Sequence, residues 1–381
     1  MRREASWLLT ISVILYLIGI AIGYSVDGIR LHSQEFLSRQ LVIFFVGLFS
    51  FFLFSYIEYK DKMKLLGLVL LNGIVIVLLI IVLGFGDQVN GAKRWIELLG
   101  GFKLQPSEFA KFVVILDLSV YFAYFRDKAK SVFYGIFIPL IISGVFCVLI
   151  FLERDLGTPV IIMSCVFVVM LYAGVNKKVL IMLTPIAFIF IFVAIFSEEY
   201  RIDRLINTIF YDRDLRGAGA QVFQAMVAYY RGGLFGMGLG NGMSKSGALP
   251  LPSRDFPFAL WAEETGIVGA TFLTLLFFGF VYIGLETAKK APTYKASILS
   301  LGITLLIGLQ SLFMMLVNEG WLPVKGMCIP FVSTGGSSFV ANMMMLGCLV
   351  SIAIKKNGVT EEKQTTMPLP VEVGKPILRS F

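Results

Sequence analysis

Runs of apolar residues alternate with short polar junctions along most of the chain, and the runs fall at roughly 7–26, 38–57, 65–84, 108–125, 132–152, 157–174, 179–197, 258–285, 296–318 and 338–354. A helix advances about 1.5 Å per residue, so about twenty residues cross a hydrocarbon core about 30 Å thick. The pattern predicts an all-α fold, a polytopic integral membrane protein of about ten transmembrane helices. The first run, Trp7 to Tyr24, exceeds the roughly 7 to 15 residues of a signal-peptide core and lacks a small-residue cleavage site, so it reads as the first span.

The polar junctions set the orientation. Lys60, Lys62 and Lys64 follow the second run, Arg126, Lys128 and Lys130 the fourth, Lys177 and Lys178 the sixth, and Lys289, Lys290 and Lys295 the eighth. These share one parity with Arg2 and Arg3 before the first run and Lys355 and Lys356 after the last. Basic residues collect in short cytoplasmic loops, so both termini are placed in the cytoplasm and the odd-numbered loops outside. Two outward loops are long, one around 85–107 and a large one from Ser197 to Pro257, between helices 7 and 8. Function is expected on that face. Within the larger loop the apolar stretch from Val222 to Tyr230 predicts re-entrant or interfacial helices. Two regions result: a membrane domain over 1–356 and a polar, proline-bearing tail over 357–381, predicted to hang disordered in the cytoplasm. No internal repeat is evident, which disfavours transporters built from inverted halves.

Composition agrees with lipid as the solvent: 57% of the 381 residues are hydrophobic and 15% charged, where soluble domains carry about a quarter charged. The net charge of +8 is explained by orientation and not by nucleic acid. Cys147, Cys165, Cys328 and Cys348 lie in or near apolar runs with no CxxC spacing, which gives neither a zinc site nor a disulfide framework. The single histidine, His32, makes a histidine-based metal site or a Ser-His-Asp triad untenable. Catalysis must then use carboxylates.

Five polar constellations stand out. In Gly91-Ala92-Lys93-Arg94-Trp95-Ile96 and the following Gln105-Pro106-Ser107-Glu108-Phe109-Ala110-Lys111, Glu108 and Lys111 are three apart on one helix face and can pair. Lys93 and Arg94 beside Trp95 are equally an interfacial anchor. Glu153-Arg154-Asp155-Leu156-Gly157-Thr158-Pro159 packs three ionisable side chains into a tight turn, more than capping requires. The glycine-rich run from Gly232 to Gly242 lacks a GKS or GKT ending and a βαβ context, so it is no nucleotide loop. It instead permits positive φ and offers backbone amides to an anion, with Lys245 close behind. Ahead of the eighth run, Ser253-Arg254-Asp255-Phe256-Pro257-Phe258 presents Asp255 either as a helix N-cap or as a base whose pKa is raised by apolar neighbours. Glu263 and Glu264 follow it, placed to pair with basic groups inside the bundle. Last comes Asn318 to Gly326, then Ile329 to Ser338, with Ser333 and Ser337 in a Gly/Ser-rich loop that either caps a helix or binds sugar and phosphate oxygens.

In this order, GAKRWI, QPSEFAK, ERDLGT, RGGLFGMGLG, LPLPSRDFPFALWAEETG and LPVKGMCIPFVSTGGSS resemble the SEDS family of FtsW, RodA and SpoVE over roughly residues 10 to 355. The resemblance implies a glycosyltransferase that polymerises lipid II into a nascent glycan strand outside the bacterial cytoplasmic (inner) membrane, releasing undecaprenyl pyrophosphate. It implies Asp255 as the catalytic residue, with Arg254 where Ser or Thr is more usual. It further implies roles for the Glu108 and Lys111 pair, Asp155 and Arg204, and a class B penicillin-binding protein transpeptidase and other division proteins as partners. Family members more usually show Gln-Pro-Asp at 153–155 and Ser-Tyr-Gly at 333–335. The Pro-Val-Lys-Gly at 323–326 is closer to division-type FtsW than to RodA. Arg204, Lys93, Arg94 and Lys111 are candidates to stabilise the leaving pyrophosphate, and a divalent cation such as Mg2+ or Mn2+ is a candidate aid that no residue cluster demands. A lipid flippase would use Glu108, Lys111 and Glu263 without needing Asp255, and a noncatalytic scaffold would tolerate loss of all of them.

Overall fold

The computed structural model of the chain describes residues 3–30, 33–56, 65–89, 92–98, 102–211, 218–246 and 252–355. His32, Gly91, the Lys60, Lys62 and Lys64 junction, Lys356 and the 357–381 tail lie outside the described residues. Each of the ten apolar runs coincides with a helix. They are α1 (Arg3–Arg30), α2 (Ser33–Tyr56), α3 (Leu65–Phe85), α4 (Pro106–Tyr124), α5 (Ile138–Leu152), α6 (Gly157–Tyr172), α7 (Lys177–Phe196), α11 (Pro257–Lys289), α12 (Tyr294–Asn318) and α13 (Gly336–Ile354). Between α7 and α11 the chain forms α8 (Glu199–Ile209), α9 (Ala218–Gly232) and the single turn α10 (Pro252–Asp255). Among the described residues, eight helices are long and apolar enough to cross a membrane. The two runs outside that set are α4, which carries Glu108, Lys111 and Asp117, and α6, which has 16 residues.

The loop around 85–107 adds what hydropathy did not predict, a small antiparallel sheet in the order β1 (Asp87–Val89), β2 (Ala92–Glu97), β3 (Lys103–Leu104). Its register pairs Gln88 with Lys93 and Ile96 with Leu104. Side chains alternate across a strand, and β2 accordingly buries Arg94 while leaving Lys93 half-exposed on the other face.

α12 occupies the centre of the bundle, packed against α4, α6, α11 and α13. By contrast α7 exposes Ile186, Phe188 and Phe192, as a lipid-facing helix does. The ends of the bundle differ in charge. At one, Lys290 pairs with Glu4 at 3.0 Å, Arg126 stacks over Tyr294 at 4.4 Å, and the Tyr294 hydroxyl donates to the Ala173 carbonyl. The basic junctions after α4, α6 and α11 therefore gather at one end, as their parity predicts. The sheet, α8, α10 and Asp255 lie at the other.

α11 is broken at Gly266, whose φ of 72° takes it out of the helix. The glycine-rich run fills the break. Met237 and Gly238 donate their N–H groups to the carbonyls of Glu263 and Glu264, each at 3.0 Å, and Ile267 donates to the Gly233 carbonyl at 2.9 Å. Backbone groups released by a broken helix need such partners at membrane depth.

Candidate functional site

The site is assembled from segments that the sequence keeps far apart: β2, the turn between α5 and α6, α8, α10 and the loop before α13. In the turn, Asp155 caps the start of α6, accepting from the Gly157 amide at 3.0 Å and the Thr158 hydroxyl at 2.7 Å. Lys325, from the loop before α13, comes within 3.6 Å of the same carboxylate. A Cβ at position 157 would lie 2.7 Å from the Lys325 ammonium, so any larger residue there would make that side chain shift. Burial alone would raise the Asp155 pKa, but Arg94, Lys325 and the Thr158 bonds together hold it well below the ordinary carboxylate range.

Arg94 reaches across from β2 and donates to the Arg154 carbonyl at 2.6 Å, where the Tyr200 hydroxyl of α8 also donates at 3.3 Å. That carbonyl is turned towards them by a left-handed backbone at Arg154, φ 62°. Arg204, one turn further along α8, stacks over Tyr200 at 5.6 Å. Its charge acts on both Asp155 and Asp255.

Asp255 ends α10. Its carbonyl accepts from the Asn318 side chain at 3.0 Å, while Oδ1 is buried with no hydrogen-bond partner among the described residues. A Cβ at Gly326 would be 3.6 Å from Oδ2, so glycine keeps the space before the carboxylate clear. Burial raises the Asp255 pKa to about 6, against the pull of Arg254, Arg94 and Arg204. Arg254 itself stacks over Trp95 at 4.8 Å. Burial also lowers the Lys325 pKa to about 8, with Asp155 opposing, and raises that of Glu153 to about 9. Both Glu153 oxygens and the Lys325 ammonium are buried without a hydrogen-bond partner among the described residues. Four cationic side chains thus surround three carboxyl groups, of which Glu153 keeps its proton at neutral pH. The surplus is positive, and it suits an anion next to a carboxylate able to take up a proton.

A family model described as "Cell cycle protein", that of FtsW, RodA and SpoVE, matches residues 5–358. The chain belongs to the FtsW/RodA/SpoVE family. It is 30% identical over 368 residues to a protein named probable peptidoglycan glycosyltransferase FtsW from Geobacter sp. (strain M18), covering 94% of this chain and 100% of that protein. It is 31% identical to stage V sporulation protein E of Bacillus subtilis, covering 91% and 96%. A solved chain from work on how a peptidoglycan synthase complex coordinates polymerization and crosslinking superposes with a TM-score of 0.74 at 25% identity, covering 91% of this chain and 96% of that one.

Of the candidates named from the sequence, Arg94, Asp155, Arg204 and Asp255 converge on one place. Lys93 does not: it lies on the opposite face of β2 and donates to the Gly84 carbonyl at 3.2 Å. Glu108 and Lys111 do form the predicted pair, at 2.8 Å, but inside the bundle, where Lys111 also donates to Gln310 of α12 at 2.6 Å. Lys245 is tied to Ser25 at 2.8 Å and to Glu264 at 3.4 Å, which fastens the glycine-rich run to α1. The anion met by that run is Glu263, whose carboxylate accepts from the amides of Met243 and Ser244 at 3.1 Å each. Ser333 donates to the Arg254 carbonyl at 2.8 Å and Ser337 to the Lys103 carbonyl at 2.8 Å, so both hold loops in place. Sequence reasoning left Lys325 and Glu153 out of the site. The unusual charge density of the Glu153 turn was the available signal for one, and the lysine of Pro-Val-Lys-Gly for the other.

Proposed function

We propose that this protein is a peptidoglycan glycosyltransferase that polymerises lipid II on the outer face of the cytoplasmic membrane, in septal wall synthesis during cell division. The observation that carries the reading is the Asp255 carboxylate, with Oδ1 buried and without a hydrogen-bond partner among the described residues, in the field of Arg254, Arg94 and Arg204. The names of the FtsW relatives supply the reaction class and the division setting.

In this mechanism Asp255 accepts the proton of the acceptor sugar's 4-hydroxyl while that oxygen attacks the donor's anomeric carbon. The glycosidic bond forms with inversion, and undecaprenyl pyrophosphate leaves. Because the leaving group is already anionic, its developing charge is the larger demand, and Arg94, Arg204 and Lys325 are the groups placed to meet it. Lys93 and Lys111, turned elsewhere, are not assigned to it. Among the described residues no group of three or more His, Cys, Asp or Glu side chains is arranged to hold a Mg2+ or Mn2+ ion. We assign charge neutralisation to the three cations, and a divalent cation bound through the substrate's phosphates is a candidate addition to them.

The parity of the basic junctions supports termini in the cytoplasm and the Asp255 end outside. A class B penicillin-binding protein is the proposed partner, supported by the structural likeness to a complex that couples polymerization to crosslinking. The test is reconstitution of the full chain with its transpeptidase and lipid II. Asp255→Asn should lose about 10² to 10⁴ in glycan formation while staying folded and partner-bound. Equal polymer from both would remove Asp255 as the base, and lipid movement without polymer would make the protein a flippase.

A further inference from the structure

A cleft between α9 and the two halves of α11 takes no part in the chemistry above. Its volume is about 510 Å3, it is open on one side, and it lies beside the end of α12. Met226, Phe258, Ile267 and Leu275 make its walls apolar. Among the described residues, Glu319 is the one charged side chain that lines it. The Tyr229 hydroxyl also lines it, buried and without a hydrogen-bond partner among the described residues. Trp321 is 76% exposed among the lining residues, and an exposed indole favours the head-group layer.

These features select an occupant. A cleft of this volume with apolar walls can take an alkyl chain. The acidic mouth repels a head group that carries only phosphate or pyrophosphate. A primary ammonium supplies N–H donors to both the Glu319 carboxylate and the Tyr229 oxygen, and the Trp321 ring offers a cation–π face. We propose that the cleft binds a membrane phospholipid bearing a primary ammonium, with an alkyl chain between α9 and α11. Such a lipid would buttress the Asp255 segment: Phe258 lies three residues beyond Asp255, and Asn318, which holds the Asp255 carbonyl at 3.0 Å, precedes Glu319.

The experiment is native mass spectrometry of the purified full chain, titrated with phosphatidylethanolamine, phosphatidylglycerol or phosphatidylcholine of matched chains. Wild type should retain phosphatidylethanolamine about tenfold better than the other two, the worth of one charge-assisted hydrogen bond. Glu319→Gln should remove the preference. Ala270→Trp, which fills the cleft and leaves the carboxylate, should lower retention of all three lipids at that site, so the proposal does not depend on one variant folding. Equal retention of the three lipids by wild type would overturn it. So would an unchanged preference in Glu319→Gln, or equal displacement by undecaprenyl pyrophosphate. A cleft that takes up no lipid and loses only the transpeptidase in Ala270→Trp would make it a partner's seat, and the lipid proposal would fall.

Discussion

Asp255 and Lys325 oppose each other in pH. Asp255 works as a base only when ionised, so the rate should rise as pH climbs through about 6, where burial has placed its pKa. Lys325 holds a leaving diphosphate only when protonated, so the rate should fall as pH climbs through about 8. Lipid II polymerisation measured against pH should therefore be bell-shaped, and Lys325→Arg should abolish the alkaline fall, because guanidinium does not titrate in this range. Lys325→Met should instead lower the rate by about 10² to 10³ throughout. Arg254→Ser tests the acid limb: removing the cation that most favours the Asp255 carboxylate raises its pKa, and the limb should move to higher pH. Asp255 was singled out by the family resemblance and by Phe256 and Phe258 just beyond it, whereas its local pattern alone fitted a helix N-cap as well. Lys325 was not singled out, because its partner Asp155 is 170 residues away and nothing local to either residue reports the pairing.

The glycine-rich run and α11 form one element, although the sequence separates them by Lys245, Asp255 and a turn of helix. Gly266 must be glycine: at φ 72° a Cβ would lie 2.3 Å from the Leu234 carbonyl oxygen. Gly266→Ala should cost about 1–3 kcal/mol from backbone strain and lower the unfolding temperature in detergent, with lipid II turnover falling only as folded protein is lost. A second tie lies between α4 and α12, where Lys111, 1% exposed, meets Glu108 and Gln310. Lys111→Met should destabilise by about 3–5 kcal/mol, because it leaves a buried carboxylate uncompensated. The double variant with Glu108→Gln should recover most of that stability, and turnover still lost in the restabilised double variant would instead point to a role in the chemistry. Apolar runs predicted these helices well, since length and hydropathy are local. The break at Gly266 escaped prediction because its hydrogen bonds come from a loop about thirty residues earlier, and the small sheet because β1 and β3 are three and two residues long and Ala92–Glu97 does not alternate apolar with polar.

At the scale of the molecule, the orientation rests on a charge asymmetry that can be read chemically. The four cysteines are all buried, so the wild-type chain should react little with a membrane-impermeant maleimide. Asn241 is exposed near the Asp255 end, and Lys178 is exposed at the end that gathers the basic junctions. If basic junctions face the cytoplasm, Asn241→Cys should label in intact spheroplasts and Lys178→Cys only after permeabilisation. The opposite result would put Asp255 on the cytoplasmic face. A precursor presented outside would then never meet the base, and the polymerase reading would fail however well the site geometry suits it. Labelling of both positions from outside would show that the ends of the bundle do not lie on opposite sides of the membrane, and α7, so thinly packed against the rest, would be the first helix whose crossing to re-examine.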